Sequence, residues 1–435
     1  MKSRVIRAGT PAFHRFMKVM LARRGGDAAG GRVNEAVANI IAEVRRRGDR
    51  ALIDFTSRFD AVRLTPRTLA VRREELASAR RAISAEDWRV LEFAAERIER
   101  FHRRTLEKSF DYTDAAGVRL GQMVTPLRRV GIYVPGGAGA YPSSVLMNAI
   151  PARVAGVKEI VMVSPPSRDG DRSAVMAAAA IGGVTEYFRC GGAQAVAALA
   201  YGTRSIRPVD KIVGPGNAFV QEAKRQVYGV VDIDKMAGPS EVVVIADAQA
   251  NPTWVAADLI AQAEHGSGDE SAVLLTPDAQ LAREVSAALQ SAIRDLPRAA
   301  LVRAVLARRG AFVVVTDLDE AFEIANQIGP EHLELEIANP RRWLKKIEAA
   351  GAVFLGGTSP APLGDYLAGP NHVLPTGGSA RYASPLGAYD FLKRTSIIEA
   401  SAKAASGLAP AVAHLARMEG FEGHARAMEL RGRAR

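Results

Sequence analysis

The spacing of hydrophobic positions along the chain changes near residue 129. Before this point, apolar residues recur every three or four positions, as in one segment with Val33, Val37 and Val44 and in another with Leu91 and Ile98. Such spacing places apolar side chains on one face of a helix. The pattern therefore predicts that this first part of the chain is helical.

From residue 129 to about residue 355, short β-branched runs alternate with alanine-rich helical stretches. Strands separated by segments of helix length are typical of βαβ units, which build mostly parallel sheets covered on both faces. The predicted strands are Val130–Val134, Glu159–Val163, Lys211–Val213, Val242–Ile245, Ala272–Leu275 and Phe312–Val315.

The composition of the chain changes again in its C-terminal part, after about residue 355. It is rich in Gly, Pro and Ser up to Ser384, and then helical and basic to the end. A segment of this size cannot bury enough apolar area to fold alone. We expect it to pack on another domain or on a partner subunit.

Length and composition limit the class of protein. A chain of 435 residues, 48% hydrophobic and 24% charged, is expected to be soluble and to form more than one domain. It contains no apolar run long enough to cross a bilayer. The single cysteine, Cys190, excludes an internal disulfide and fits a reducing compartment, so a cytoplasmic location is expected.

The net charge of +11 raises the hypothesis of a nucleic-acid-binding protein. However, the basic residues are dispersed among acids, as in Glu96–Arg104, and aromatics make up only 6% of the chain. The basic N-terminus superficially resembles a targeting peptide, but it has one serine in its first 26 residues and no apolar core. A basic, solvated surface explains the charge better, so neither nucleic acid nor membrane is an expected partner.

Three glycine-rich turns follow predicted strands, namely Pro135–Gly139, Gly191–Gln194 and Gly214–Asn217. Turns of this kind let backbone N–H groups approach a phosphate at a helix N-terminus. None is a Walker loop or a full G-x-G-x-x-G, because Pro142 stands where a third glycine is needed. Each alone is typical of a tight strand-to-helix connection, while the three together suggest a nucleotide-binding crevice.

Gln262 and His265 lie three positions apart at the end of a helical run, so both project from one helical face. An amide oxygen and an imidazole nitrogen on one face suit Zn²⁺, although a histidine at a helix end often only caps the last carbonyls.

Glu331-His332 follows a Gly-Pro pair, and both groups can transfer protons near neutral pH. A Glu-His dipeptide is also common without any function. The segment 364–376 is too dense in Asp, Tyr, Asn and His to be a passive linker.

These motifs resemble one family closely, histidinol dehydrogenase. The resemblance covers the chain from about residue 30 to the C-terminus, and its motifs follow the family's order. The matching stretches are Val130–Gly137, Tyr141–Asn148, Gly191–Ala195, Lys211–Asn217, Ala237–Val242, Gln262–His265, Gly329–Glu334, Gly364–Tyr366 and Asn371–Thr376.

The resemblance implies a role for particular residues. It implies that one Zn²⁺ per active site is held by Gln262, His265, Asp365 and His424. It assigns Glu331 and His332 as proton acceptors. The NAD⁺ contacts that it implies are Tyr133, Gln194 and Asn217. The substrate contacts that it implies are Ser240, Gln262, His265, His332, Asp365, Glu419 and His424.

The implied reaction oxidises L-histidinol to L-histidine through L-histidinaldehyde with two NAD⁺, the last steps of L-histidine biosynthesis. His332 would take the alcohol proton, and Glu331 would activate water in the second oxidation. In this family the C-terminal tail reaches the active site of the other subunit, so a homodimer with shared active sites is implied. An alternative is a paralogue that oxidises another primary alcohol, such as a sulfonated propanediol.

Pattern and resemblance together imply an α/β fold with two Rossmann-like parallel-sheet domains that lack the usual fingerprint, plus small helical segments at both ends. The expected division is an N-terminal segment (1–29), a first domain (30–128 with 239–380), a second domain (129–238) and a C-terminal helical tail (381–435). Cys190 ends a predicted buried strand and is interpreted as structural rather than nucleophilic.

Overall fold

The computed structural model of the chain describes residues 5–22, 24, 30–136, 141–167, 172–236, 238–265 and 268–432. Its strands are β1 (Val5–Arg7), β2 (Phe110–Thr113), β3 (Val118–Pro126), β4 (Arg129–Tyr133), β5 (Glu159–Ser164), β6 (Glu186–Arg189), β7 (Lys211–Val213), β8 (Asp232–Ile233), β9 (Glu241–Ala246), β10 (Ser271–Thr276), β11 (Gly310–Val314), β12 (His332–Glu336), β13 (Ala352–Leu355) and β14 (Leu392–Ala400).

Helices connect most of these strands, as a βαβ pattern requires. They are α1 (Pro11–Leu21), α2 (Gly30–Arg47), α3 (Asp49–Asp60), α4 (Pro66–Leu69), α5 (Arg73–Ala77), α6 (Ala85–Arg103), α7 (Pro142–Ala155), α8 (Ser173–Gly182), α9 (Gly192–Tyr201), α10 (Ala218–Val227), α11 (Pro252–Ala263), α12 (Ala279–Ala292), α13 (Ala299–Arg309), α14 (Leu318–Ile328), α15 (Ala361–Tyr366), α16 (Ala402–Met418) and α17 (Glu422–Gly432).

The larger sheet is fully parallel in the order β1-β11-β10-β9-β12-β13. Every residue of β9 and β12 is buried. Apolar clusters cover both faces of the sheet at β9 and one face at β12. The predicted strands at 242–245, 272–275 and 312–315 are confirmed as β9, β10 and β11. The N-terminal segment is not purely helical as expected, since β1 adds an edge strand beside β11. A three-residue strand is too short to show a periodic pattern.

The second sheet is also parallel, in the order β6-β5-β4-β7-β8. Apolar clusters again cover both faces. Helices from the first part of the chain supply much of this cover, with Val37 and Ile41 on one face and Ala95 and Ile98 on the other. The two parallel sheets confirm the expected fold class, whereas the boundaries of the domains stay a prediction.

A third, antiparallel sheet in the order β14-β3-β2 carries the C-terminal helices. The expectation that the tail is helical from residue 385 onward is wrong for β14, which pairs with β3 along nine residues. Eight of the nine β14 residues are exposed, so no apolar alternation identifies the strand in the sequence. Beyond it, α16 and α17 pack chiefly on each other.

The segment between α15 and β14 joins the two parallel sheets. Asn371 Nδ2 donates to the Met147 carbonyl at 2.6 Å, on the side of the second sheet. Gly377 N donates to Glu241 Oε2 at 3.2 Å, at the start of β9 in the larger sheet. These contacts fix the loop that follows Asp365 between the two halves of the molecule. No helix in the described ranges is both long and apolar enough to span a membrane.

Candidate active site

The larger sheet bears a cavity of about 170 Å³ at the amino ends of β9 and β12. Gln262 lies in the last turn of α11, and His265 follows the end of that helix. Asp365 lies on α15, a short helix on the other side of the cavity. All three residues, which the family resemblance implies as metal ligands, line this cavity.

Glu331 and His332 lie beside this cavity, where β12 begins. His332 Nδ1 lies 3.2 Å from Gln262 Oε1 and 3.7 Å from Glu331 Oε2, and His332 Nε2 lies 3.7 Å from Asp365 Oδ1. Glu331 Oε2 also accepts the Glu241 N–H at 3.1 Å. Both side chains are almost fully buried. The two adjacent residues therefore reach one site, which sequence spacing left open.

The hydrogen bond to Gln262 selects a tautomer of His332. An N–H at Nδ1 can donate to the amide oxygen, which leaves Nε2 with a lone pair when the ring is neutral. Within the described ranges, His332 Nε2 is buried and has no hydrogen-bond partner. This atom is therefore the one positioned to accept a proton from a bound molecule.

Burial and neighbouring charges shift the proton affinities of these groups. Burial raises the pKa of Glu331. Burial alone would lower the pKa of His332, but the negative charges of Glu331 and Asp365 outweigh it and raise that pKa to about 9. His332 in turn holds the pKa of Asp365 below its usual range, although burial opposes this. A cation bound in the cavity would favour the neutral, proton-accepting form of His332.

The donor set suits a cation of the zinc type. The cavity presents an amide oxygen, an imidazole and a carboxylate, which are nitrogen and oxygen ligands. His265 Nδ1 lies 3.2 Å from the Ala261 carbonyl, which leaves Nε2 as the atom available to a metal. Gln262 is buried, with Nε2 unpartnered in the described part of the chain, and its oxygen retains a second lone pair.

Two predicted site residues lie elsewhere in the described chain. Glu419 directly follows α16, and His424 lies in the first part of α17. Both are exposed on the C-terminal helical pair, and neither lines the cavity. His424 packs its ring against Phe421, with 5.2 Å between ring centroids. Within one subunit, the fold brings together three of the four predicted metal ligands.

Ser240 and His372 flank the same region. Ser240 immediately precedes β9, next to the residue whose N–H binds Glu331, and is half-buried. His372 Nδ1 lies 2.8 Å from the Asp365 carbonyl, so it supports the backbone that carries the Asp365 side chain. The sequence singled out His372 within the segment 364–376 without assigning it a role.

A carboxyl cluster at the cavity, which Asp258 lines, was not predicted. Ligand oxygens of Asp258, Glu334 and Glu336 all lie within 4.8 Å of one another. Burial raises the pKa of Glu334 and of Glu336 to about 8 each, and that of Asp258 to about 6. Glu334 Oε1 also accepts the Ala361 N–H at 2.7 Å, at the start of the helix that bears Asp365. The alternation of His332, Glu334 and Glu336 along one strand was the available signal.

The second sheet bears a larger cavity, of about 590 Å³, where the glycine-rich turns follow β4, β6 and β7. Tyr133, Gln194 and Asn217, the predicted NAD⁺ contacts, all line it. Tyr133 Oη accepts the Gly192 N–H at 3.0 Å, and burial raises the tyrosine pKa. Asn217 caps α10 by accepting the Phe219 N–H at 3.1 Å. Part of the first turn, residues 137–139, lies outside the described residues.

Gln194 is the least satisfied of these side chains. Its residue is 1% exposed, and both amide atoms lack a hydrogen-bond partner within the described ranges. A buried amide of this kind is destabilising unless a ligand completes its hydrogen bonds. Its place in the cavity lining therefore indicates a polar ligand.

Cys190 lies directly after β6 and is fully buried. Burial raises the pKa of its thiol well above the usual range. A thiol of this kind is a poor nucleophile. These properties agree with the structural interpretation of Cys190.

Two parallel sheets are present, one with a cavity at its glycine-rich turns and the other with a buried acid–base pair beside a polar cavity. This combination defines an α/β oxidoreductase that uses a dinucleotide. Comparison with known proteins narrows this class. The sequence profile of the family described as histidinol dehydrogenase matches residues 23–432. The chain belongs to the histidinol dehydrogenase family, which consists of NAD-dependent oxidoreductases.

Individual proteins that this chain resembles carry the name of the same family. The histidinol dehydrogenase of Pseudomonas syringae pv. syringae is 52% identical over 400 residues, which cover 92% of this chain and 89% of that protein. The Moorella thermoacetica histidinol dehydrogenase is 52% identical over 424 residues and covers 97% of this chain and 98% of its own length. The crystal structure of histidinol dehydrogenase from Elizabethkingia anophelis superposes with a TM-score of 0.92 at 33% identity, covering 99% of this chain and 98% of that chain.

Proposed function

We propose that this protein is a zinc-dependent enzyme that oxidises L-histidinol to L-histidine through L-histidinaldehyde, with two NAD⁺ consumed in succession. The observation that carries the proposal is the geometry of His332, whose Nδ1 faces Gln262 while its buried Nε2 faces Asp365. A base is thus aimed at the group of residues that would hold the metal and the alcohol. The reaction places the enzyme in the last steps of L-histidine biosynthesis, in the cytoplasm.

The two acid–base residues have different tasks in this proposal. His332 accepts the proton of the substrate hydroxyl at Nε2 while hydride passes to NAD⁺. Glu331 is held by the Glu241 N–H at 3.1 Å and has its pKa raised by burial, so it can accept a proton from water in the second oxidation. Only that second step consumes water.

One zinc ion per site is the proposed cofactor besides NAD⁺. Its ligands would be Gln262, His265 and Asp365 together with the partner subunit's His424. When bound, zinc supplies Lewis-acid polarisation of the substrate oxygen. The same residues and His332, with Ser240 and the partner subunit's Glu419, are the proposed substrate contacts.

The cofactor would occupy the cavity of about 590 Å³ on the second sheet. Tyr133, Gln194 and Asn217 line it, and the unpartnered amide of Gln194 supplies both a donor and an acceptor for a polar ligand. NAD⁺ offers such groups in its carboxamide and riboses. This choice is supported by the position of the cavity at the carboxyl ends of parallel strands.

A homodimer with shared active sites is proposed because of the C-terminal helical pair. This pair carries Glu419 and His424 and leaves several large apolar side chains exposed in the single chain. The exposed large apolar residues of the pair and its connecting turn are Val412, Leu415, Met418, Phe421 and Leu430. A second copy of the chain would bury these side chains and bring a fourth ligand to each cavity.

The first experiment is NAD⁺ reduction with L-histidinol and the purified protein. We expect two NADH for each L-histidinol consumed, with L-histidine as product. Turnover of a sulfonated propanediol but not of L-histidinol would contradict the proposed substrate. Neither this paralogue nor a nucleic-acid-binding protein gains support from the comparisons.

A second experiment tests the shared site. His332→Ala and His424→Ala proteins should each be inactive, and a refolded mixture should recover about a quarter of wild-type activity, because half of the dimers are mixed and each has one intact site. If the mixture stays as inactive as the separate variants, the site is not shared.

A further inference from the structure

The larger cavity contains a cationic side chain to which nothing so far assigns a role. Arg172 directly precedes α8, is half-buried and lines the cavity of about 590 Å³. Its Nη2 donates to the Pro165 carbonyl at 2.9 Å. Its Nε and Nη1 are buried and have no hydrogen-bond partner among the described residues. The guanidinium is therefore fixed at one nitrogen and unsatisfied at two others.

An unsatisfied guanidinium N–H that is shielded from water is unfavourable unless a ligand accepts its hydrogen bond. Arginine N–H groups form charge-assisted hydrogen bonds with phosphate oxygens. The free Nε and Nη1 of Arg172 lie on different edges of the guanidinium, so each offers one such bond to an anionic oxygen ligand.

The position of the guanidinium agrees with a phosphate. A Cβ built on Gly136 would lie 3.0 Å from Arg172 Nη2, so the guanidinium is close to the backbone just beyond β4. Pro165, its hydrogen-bond partner, directly follows β5. The charged group therefore lies at the carboxyl ends of two neighbouring parallel strands, where nucleotides bind in folds of this type.

The cavity offers a single cationic side chain for such an anion among its described lining residues. Among the described residues that line it, Arg172 is the only cation and Asp60 is the only anion. The chain has no full G-x-G-x-x-G to present backbone N–H groups to a pyrophosphate. A side-chain cation can replace part of that missing stabilisation.

We propose that Arg172 binds the pyrophosphate of the nicotinamide dinucleotide. This inference rests on the cofactor cavity of the proposed function. The pyrophosphate is preferred over the 2′-phosphate of NADP⁺ because the Asp60 carboxylate in the same cavity would repel a further phosphate and can accept a ribose hydroxyl. Arg172 therefore contributes to cofactor affinity and not to the chemical steps.

The test compares wild-type protein with Arg172→Ala and Arg172→Lys in direct binding of ADP, which carries the diphosphate, and of adenosine, which does not. We expect Arg172→Ala to weaken ADP binding about tenfold and adenosine binding less than about twofold. Arg172→Lys should recover part of the ADP affinity, since it keeps the charge but not the fixed, planar arrangement of N–H donors. The KM for NAD⁺ should rise about tenfold in Arg172→Ala, with kcat within about twofold.

Arg204→Ala is the matched control, because it removes the same charge from an exposed position that does not line the cavity. Equal weakening of ADP and adenosine, unchanged ADP binding in Arg172→Ala, or an equal effect of Arg204→Ala would each overturn the proposal. So would loss of 2′-AMP binding with unchanged ADP binding, since that result assigns Arg172 to a 2′-phosphate. Because ADP binding is measured without L-histidinol or added zinc, its outcome is independent of the proposed substrate and metal.

Discussion

The two cavities lie at opposite ends of their parallel sheets. The cavity of about 590 Å³ on the second sheet, which is proposed to bind the cofactor, lies beyond the carboxyl ends of β4, β5 and β7, where α9 and α10 begin. The cavity of about 170 Å³ on the larger sheet, which the proposed metal ligands line, lies at the amino ends of β9 and β12, where α11 ends. The same type of layered architecture thus offers two different electrostatic environments.

Helix polarity explains what each end is suited to bind. Helix N-termini present free N–H groups and a partial positive charge, which favour the phosphates of a dinucleotide. A helix C-terminus presents carbonyl oxygens and a partial negative charge, which favour a cation. The side chains differ between the two cavities in the same way. Gln262, Asp365 and Glu331 lie at or beside the cavity on the larger sheet, whereas aromatic and neutral groups predominate in the lining of the cavity on the second sheet.

Metal removal should separate the two cavities most clearly. A chelator is expected to abolish L-histidinol oxidation, because no other electrophile in the described pocket can polarise the alcohol. ADP binding should stay within about twofold of its original affinity, because the nucleotide is proposed to occupy the other cavity. Activity and calorimetric binding are measured on the same metal-free sample, and added Zn²⁺ should restore turnover. Full turnover of metal-free protein would refute the proposed mechanism.

Loss of the base at the pocket should have the next largest effect. His332→Ala is expected to lower kcat for both alcohol and aldehyde oxidation by about 10³-fold, since Nε2 is proposed to accept a proton in each half-reaction. The KM for NAD⁺ should change little. His14→Ala is the control, because His14 is exposed on α1. A loss confined to one half-reaction would contradict the role assigned to His332.

The acid beside it should divide the two half-reactions. Glu331→Gln keeps the acceptor for the Glu241 N–H but cannot take a proton from water. Aldehyde oxidation should fall about 10²-fold and alcohol oxidation less than tenfold, because only the second step consumes water. Single-turnover measurements with each substrate provide the check. Equal losses in both steps would show that Glu331 does not act on water.

The sequence predicts the two regions unequally. The strands around Val130 and Lys211 and the glycine-rich turns after them are local patterns, so the cofactor side of the fold follows from short segments. The pocket depends on residues distant in sequence, and its cluster of Asp258 with Glu334 arises only when α11 covers β12. The role of His424 came from family resemblance alone, since an exposed histidine in a basic tail carries no local signal.

The strand β14 was missed for a related reason. It pairs along its whole length with β3, yet almost none of its residues is buried. Hydrophobic alternation identifies a strand only when one face is covered. Where pairing is exposed in the single chain, the sequence pattern lacks the signal that burial provides.

The buried carboxyl cluster should give the pocket region a pH-dependent stability. The pKa of Glu336 is raised from 4.5 to about 8 by burial and by Asp258, so its protonated form is favoured in the folded state. The stabilisation is complete below the unfolded pKa and is lost as pH rises through the folded pKa. Wild-type protein should therefore lose this contribution between about pH 4.5 and pH 8.

Glu336→Gln imitates the protonated side chain and removes its titration. It should match wild-type stability at about pH 5 and exceed it by about 1 to 2 kcal/mol at about pH 8.5, as measured by denaturant unfolding. Gln280→Glu, on an exposed part of α12, is a control for surface charge. A stability difference that does not change with pH would mean that Glu336 is ionised in the folded protein at both pH values.

The smallest effect is expected at Cys190, which directly follows β6 of the second sheet. An enzyme that oxidises an aldehyde to an acid often uses a thiolate. If Cys190 had this role, aldehyde oxidation would take place at the second sheet and not at the cavity that contains Asp365. Cys190 is instead fully buried among apolar residues, its thiol pKa is raised, and it does not line the cavity. Cys190→Ala should therefore keep kcat for both substrates within about twofold and cost about 1 kcal/mol of stability through lost packing. Turnover with L-histidinol and with L-histidinaldehyde, alongside zinc content and thermal unfolding, measures both effects. Selective loss of aldehyde oxidation in a folded, zinc-loaded variant would make Cys190 the nucleophile and remove the proposed role of Glu331.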